Sequence, residues 1–252
     1  MSYIPLADRM TRLSRLIYIA ACIIVVQAAH ASAASSKPGP TGDSLVMAKL
    51  SNTRTYDRVS SDDLLTASVG ADASVCTVTG TNISPSHCAD LAKQEILRRR
   101  PVKELLTAVR EGNGADGKAF QAIQLLEKIR GPEVEAGLRH IAEPYDGNVG
   151  NYLALQYFAD RCETWSLKIL NDHWFDFGIP SFVWGQAVED FGYCHYLPAT
   201  ANMISSLDAA SGNLSDAAND ALRRMYPDGP KGTVGDAAVK AWTAYVSAHS
   251  SH

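Results

Sequence analysis

Residues 186–204 read QAVEDFGYCHYLPATANMI. Ala187, Val188 and Phe191 stand at the spacing of one helical face, and after His195-Tyr196 a second apolar helix, LPATANMISSLDAA, starts with Leu197-Pro198. The stretch is either an isolated helix and turn or one unit of a repeat. Its neighbours decide between the two.

The same order, Ala, apolar, two others, apolar, recurs as Ala122-Ile123-x-x-Leu126, Ala154-Leu155-x-x-Phe158, Ala187-Val188-x-x-Phe191 and Ala221-Leu222-x-x-Met225, at intervals of 32, 33 and 34 residues. Each recurrence falls in the second helix of a pair, with a further amphipathic helix before the next. A near-constant period of this size marks stacked helical hairpins, none of which buries its apolar face alone. A small Ala lets two helices approach closely, and the larger residues fill the groove beside it. Stop and start signals separate the segments: Gly112 to Gly114, Gly131-Pro132, Gly147-Asn148, Gly178 to Pro180, Gly212-Asn213 and Pro227 to Pro230. The expected fold is therefore all-α, a short right-handed α-α superhelix over residues 90–249.

Residues 187–226, AVEDFGYCHYLPATANMISSLDAASGNLSDAANDALRRMY, resemble a short HEAT-like repeat: a helix, a turn, a Pro-started helix, a Gly-Asn turn, and a second helix entered through Asp216. Ala217 stands where such repeats commonly carry a basic residue. The period also accommodates tetratricopeptide units, but their Trp, Leu-Gly and Tyr signature is not visible. The resemblance implies an interaction scaffold and implies no catalytic chemistry.

Upstream of the repeat region the character changes. Arg9, Arg12 and Arg15 precede the apolar run Leu16–Val26, which is followed by small and polar residues, the order of a secretory signal peptide. That run is 11 residues long, whereas a spanning helix needs about 20. Cleavage near Ala33 is the expectation; an uncleaved anchor, or a lipidated Cys22 in the sequence Ile19-Ala20-Ala21-Cys22, are the alternatives that would bring a membrane into play. Residues 1–33 then form the signal peptide, 34–58 a flexible leader, and 59–89 a small loop or hairpin segment built on VCTVTGTNIS.

Removing the first 33 residues changes the formal charge from −4 to −6, so nothing favours nucleic acid. The basic run Arg98-Arg99-Arg100 reads as compensation of a helix dipole. Of the five cysteines, Cys76, Cys88, Cys162 and Cys194 remain, an even number that export to a periplasmic or secreted location would oxidise. They allow three pairings. Cys76 with Cys88 closes a short loop and is favoured, which leaves Cys162 with Cys194. Equivalent points on stacked helices lie about 8–10 Å apart, so the latter bridge requires a local kink.

Twelve of the 20 aromatic residues fall between Tyr152 and Tyr196. Trp165, Trp174, Phe175, Phe177, Trp184, Tyr193 and Tyr196 are the candidate interaction surface, since large aromatic side chains anchor interfaces; a bulky core accounts for the same concentration. Cys162, His173, Cys194 and His195 lack the spacing of a structural zinc site. No phosphate loop, dinucleotide fingerprint, serine elbow or metalloprotease helix is present, so no catalytic residue, metal or cofactor is assigned. Adjacent Glu189 and Asp190 diverge by about 100° on a helix and read as a solvated face. The leading expectation is an exported scaffold that binds another protein. An inhibitor or immunity-type protein, and an envelope hydrolase using Glu189, Asp190 and His195, are the rivals.

Overall fold

The computed structural model describes residues 59–70, 84–112, 117–174, 181–209, 212–231 and 235–249. Among them are eleven α-helices, one short 3-10 helix and no strand. The all-α expectation holds. Helices α1 (Ser61–Ser68), α2 (Pro85–Arg99), α3 (Val102–Glu111) and α4 (Lys118–Ile129) come first. They are followed by α5 (Pro132–Ala142), α6 (Val149–Ala159), α7 (Thr164–Asp172), α8 (Ser181–Tyr193), a 3-10 turn (Leu197–Ala199), α9 (Thr200–Ser206), α10 (Gly212–Met225) and α11 (Asp236–His249). The described residues divide into two compact units, those up to 108 with those of 117–129, and those of 109–112 with those from 130 onward.

In the first unit, α1 packs on α2 and α4, and α2 packs on α4. Both early helices are started by serine: Ser60 Oγ accepts from Asp63 N at 3.1 Å and Ser84 Oγ from His87 N at 3.2 Å, each satisfying an amide that the first turn leaves open. Pro85 follows Ser84 at the first helical position, where its missing N–H costs nothing. Leu64, Leu65, Ala92, Ile96, Ala119, Ala122 and Leu126 form the core. The segment 59–89, read as a loop or hairpin, thus contains all of α1 and the start of α2; α1 was missed because its eight residues hold only one apolar pair, Leu64-Leu65. The proposed hairpin, and Cys76 with it, lie outside the described residues.

The arginine triplet does more than offset a dipole. Arg98 donates to both oxygens of Glu95, at 2.8 and 2.7 Å, while Arg99 Nε donates to Glu95 Oε1 at 2.7 Å and its NH1 to the Val59 carbonyl at 2.6 Å. Arg100 turns left-handed, φ 53°, and donates to the Ile129 carbonyl at the end of α4. Hydrogen bonds from Arg98, then from Arg99, hold the buried Glu95 carboxyl below its ordinary value against the opposing effect of burial.

In the second unit, α6 packs against α5, α7 and α8; α8 lies far more extensively on α10 than on α6; and α9 packs on α10 and α11. From Gly150 to Ala159 every residue of α6 is buried, so this helix has no solvent face, unlike the amphipathic helix read from its sequence. Asn151 secures its entry: Nδ2 donates to the carbonyls of Ile141, Ala142 and Pro144 at 2.9, 3.1 and 3.1 Å, satisfying the open end of α5. The crossing of α8 and α10 depends on small residues. A Cβ on Gly192 would stand 2.6 Å from Ala221 Cα, whereas one on Gly185 would meet only ordinary contacts at 3.8 Å with Ala217 Cβ and the Asn213 carbonyl.

All twelve residues of the recurring motif are buried, with Ala122, Ala154, Ala187 and Ala221 each at 0% exposure. The four helices that carry them, α4, α6, α8 and α10, are each followed by a turn and a further helix. Two of the turns share one construction. After α6, Glu163 N donates to the Phe158 carbonyl and Cys162 N to that of Ala159; after α8, Tyr196 N donates to the Phe191 carbonyl and His195 N to that of Gly192. This is the paired bonding of a Schellman end, with Cys162 (φ 59°) and His195 (φ 49°) in the left-handed position usually held by glycine. Cys194 therefore sits one position earlier in its turn than Cys162 does. The Cα atoms of Cys162 and Cys194 are 5.3 Å apart, within disulfide reach, and the disulfide is formed.

Two outcomes test this packing. Because the Glu95 carboxyl is depressed, its contribution is complete above the ordinary carboxylate value of 4.5 and is lost as pH falls. Glu95→Gln is expected to cost about 1–2 kcal/mol at neutral pH, discounting for the exposure of Arg98, and to flatten stability between neutral and acid pH, as read by urea unfolding at several pH values. Gly192→Ala is expected to cost about 2–3 kcal/mol by overpacking the α8–α10 crossing, while Gly185→Ala is neutral or stabilising by up to about 1 kcal/mol through its helix propensity; equal effects in thermal melts would contradict the assigned crossing.

Candidate interaction surface

Along α6, Tyr152, Gln156 and Asp160 stand at successive four-residue steps and so form one row down the helix. Tyr152 Oη donates to Gln156 Oε1 at 3.0 Å, and Gln156 Nε2 donates to Asp160 Oδ1 at 3.2 Å and to Asp190 Oδ2 of α8. Asp190 is wholly buried, against the solvated face expected for it, while Glu189 is half-buried. The reason is the small-residue crossing: α8 is covered by α6 on one side and α10 on another, so a helix of its composition has little solvent face left. Burial, followed by the Asp190 and Asp160 charges, pushes the Tyr152 phenol well above its ordinary range. This cluster fastens α6 to α8. At 0% exposure the Asp190 carboxylate is closed to solvent in this arrangement.

The aromatic residues split into two groups. Trp184 is 1% exposed and packs edge-on against Tyr152, centroids 5.6 Å apart, so it belongs to the core and is withdrawn from the candidate surface. Phe175 and Phe177 lie outside the described residues. Trp174 is half-buried against Trp184 and Phe191, at 5.6 and 5.8 Å. Tyr196, also half-buried, stacks on Phe191 at 5.7 Å, joining the two ends of the Schellman turn. Its phenol is raised by burial and by the Asp172 carboxylate, with Lys168, which pairs with Asp172, acting in the opposite sense.

Three arginines lie over four of the half-exposed or neighbouring rings. Arg139 lies 4.6 Å above Trp165 and 5.2 Å from Phe158, Arg161 lies 3.6 Å above Tyr157, and Arg224 lies 4.0 Å above Tyr193. Each guanidinium gains from the ring quadrupole and covers apolar area with its stem. Next to Tyr196 stands Leu197, the one exposed large hydrophobic side chain among the described residues, at 57%. Its backbone is held: the Leu197 carbonyl accepts from Thr200 Oγ1 at 2.7 Å, and Cys194, three residues earlier, is in the disulfide. Composition alone gave no reason to single out Leu197; only its position after the left-handed His195 leaves it outside the core.

Cys162 and Cys194 are joined to one another, so neither is a thiolate ligand beside His173 or His195. His173 instead stacks on Tyr145, centroids 3.5 Å apart. No helix among the described residues is long and apolar enough to cross a membrane.

The polar row carries its own test. Gln156→Glu places a third carboxyl beside Asp160 and Asp190, and burial with like charges raises its pKa. The variant is expected to be destabilised by about 2–4 kcal/mol at neutral pH and to regain part of that as pH falls and the new group protonates, as followed by thermal melts across pH; a pH-independent loss would show that the carboxylates do not converge there.

No family model, no curated protein and no solved structure matches the chain.

Proposed function

We propose that the mature chain is an exported helical-repeat scaffold that binds another protein through the turn at residues 193–198 and the half-exposed rings beside it. The observation that carries this reading is the exposure of Leu197 on a turn whose backbone is fixed on both sides, by the disulfide at Cys194 and by the Thr200 hydroxyl. A fixed loop loses little conformational freedom when a partner covers it, so apolar and aromatic area there converts more efficiently into affinity. Tyr193 and Tyr196 lie on the turn, and Trp174 packs on Phe191, on which Tyr196 stacks; Trp and Tyr are the residue types that most often anchor protein interfaces. The HEAT-like resemblance of residues 187–226 supports the same class of function.

Crosslinking of the mature chain in an extract of its native compartment tests it. Leu197→Asp and Tyr196→Ala, with circular dichroism unchanged, are expected to lose a partner captured by the wild type, each by tenfold or more, whereas Lys240→Glu, at an exposed position of α11, retains it. Equal capture by all four proteins places the interface elsewhere.

A further inference from the structure

Three features meet at one seam of the second unit. First, the α6–α8 contact is slender beside the α8–α10 contact, yet α6 is the helix buried on every side. Second, that seam encloses a carboxylate, Asp190, whose removal from water opposes assembly. Third, the disulfide bridges the ends of these same two helices across a separation of 32 residues, with Cys162 held at φ 59°, a conformation a β-carbon disfavours. Closing a loop of that length shifts a folding equilibrium by roughly 100- to 1000-fold. The cross-link therefore acts where non-covalent packing is least extensive and most opposed.

We propose that Cys162–Cys194 is a one-way oxidative latch: the second unit reaches its described packing only when the two thiols are joined, and the helix ends on which they sit then protect the bond from reduction. In forming it, two thiols give up two protons and two electrons and one S–S bond is made, while the S–S bond of a disulfide oxidant is broken and becomes two thiols. Reversal requires a thiolate to attack one sulfur and the other to leave as a thiolate. Cys162 is exposed and Cys194 half-buried, so the protection is electrostatic and not steric: both sulfurs lie at helix C-termini, the negative ends of the helix dipoles, and Cys194 Sγ is 3.6 Å from the Ala159 carbonyl oxygen. Such surroundings disfavour a leaving thiolate, the opposite of the helix N-termini that activate cysteines. The bond thus serves as a lock and not as a switch.

The test uses the full mature chain. Cys162→Ser/Cys194→Ser, and the corresponding double Ala variant, are expected to lose at least 100-fold in the folding equilibrium measured by urea unfolding, with hydrogen exchange accelerated in α6 and α8. Reduction of the wild type by dithiothreitol is expected to be at least 100-fold slower in the native state than in urea, followed by the mass of the peptides containing Cys162 and Cys194. Both double variants within tenfold of the wild-type equilibrium would overturn the latch. A native bond reduced as fast as the unfolded one would overturn its one-way character.

Discussion

Helix α6 is enclosed along its length from Gly150 to Ala159, and the rest of the second unit is arranged to make that enclosure possible. A helix without a solvent face can place its polar groups only against other protein groups, and each of them costs free energy unless it is bonded. Asn151 closes the end of α5 by sharing the two N–H groups of its amide among three carbonyls, and Gln156 connects Tyr152 to Asp160 and Asp190. Apolar burial supplies the driving force. The polar row restricts which packing satisfies it, because sliding α8 along α6 separates Asp190 from Gln156.

The same constraint explains where the candidate surface lies. Trp184 and Phe191 point into the packed interior, and the rings at its edge, Trp174 and Tyr196, rest on them. The left-handed turn at His195 then directs the chain away from the core, leaving Leu197 exposed while Pro198 and Thr200 start the next helix. A surface made this way is rigid because it is an extension of the core. Its aromatic rings and arginines, Arg139 over Trp165 and Arg224 over Tyr193, present flat faces with mixed apolar and cationic character.

Much of this architecture was legible in the linear pattern. The recurrence of Ala followed by large apolar residues identified twelve core positions correctly, because small and large apolar residues at helical spacing define the face that a helix buries. Gly131-Pro132, Asn148, Pro198 and Gly212 marked helix starts for the local reasons that govern caps and turns. The pairing of Cys162 with Cys194, reached by elimination among three possibilities, is the one formed. Helix α1 escaped because eight residues with a single apolar pair give no periodicity to detect.

What periodicity could not carry is the environment on the far side of each helix. Asp190 and Glu189 are adjacent acids in one helix, and only the helices packed around α8 decide that the first is enclosed and the second partly wet. Trp184 and Trp174 are likewise similar residues ten positions apart, one core and one edge. Local sequence determined where helices begin, end and turn inward, since those choices depend on interactions within a few residues. Tertiary structure alone decided which polar groups are buried, which rings meet, and which turn faces outward, since those depend on neighbours 30 or more residues away, as Gln156 and Asp190 are.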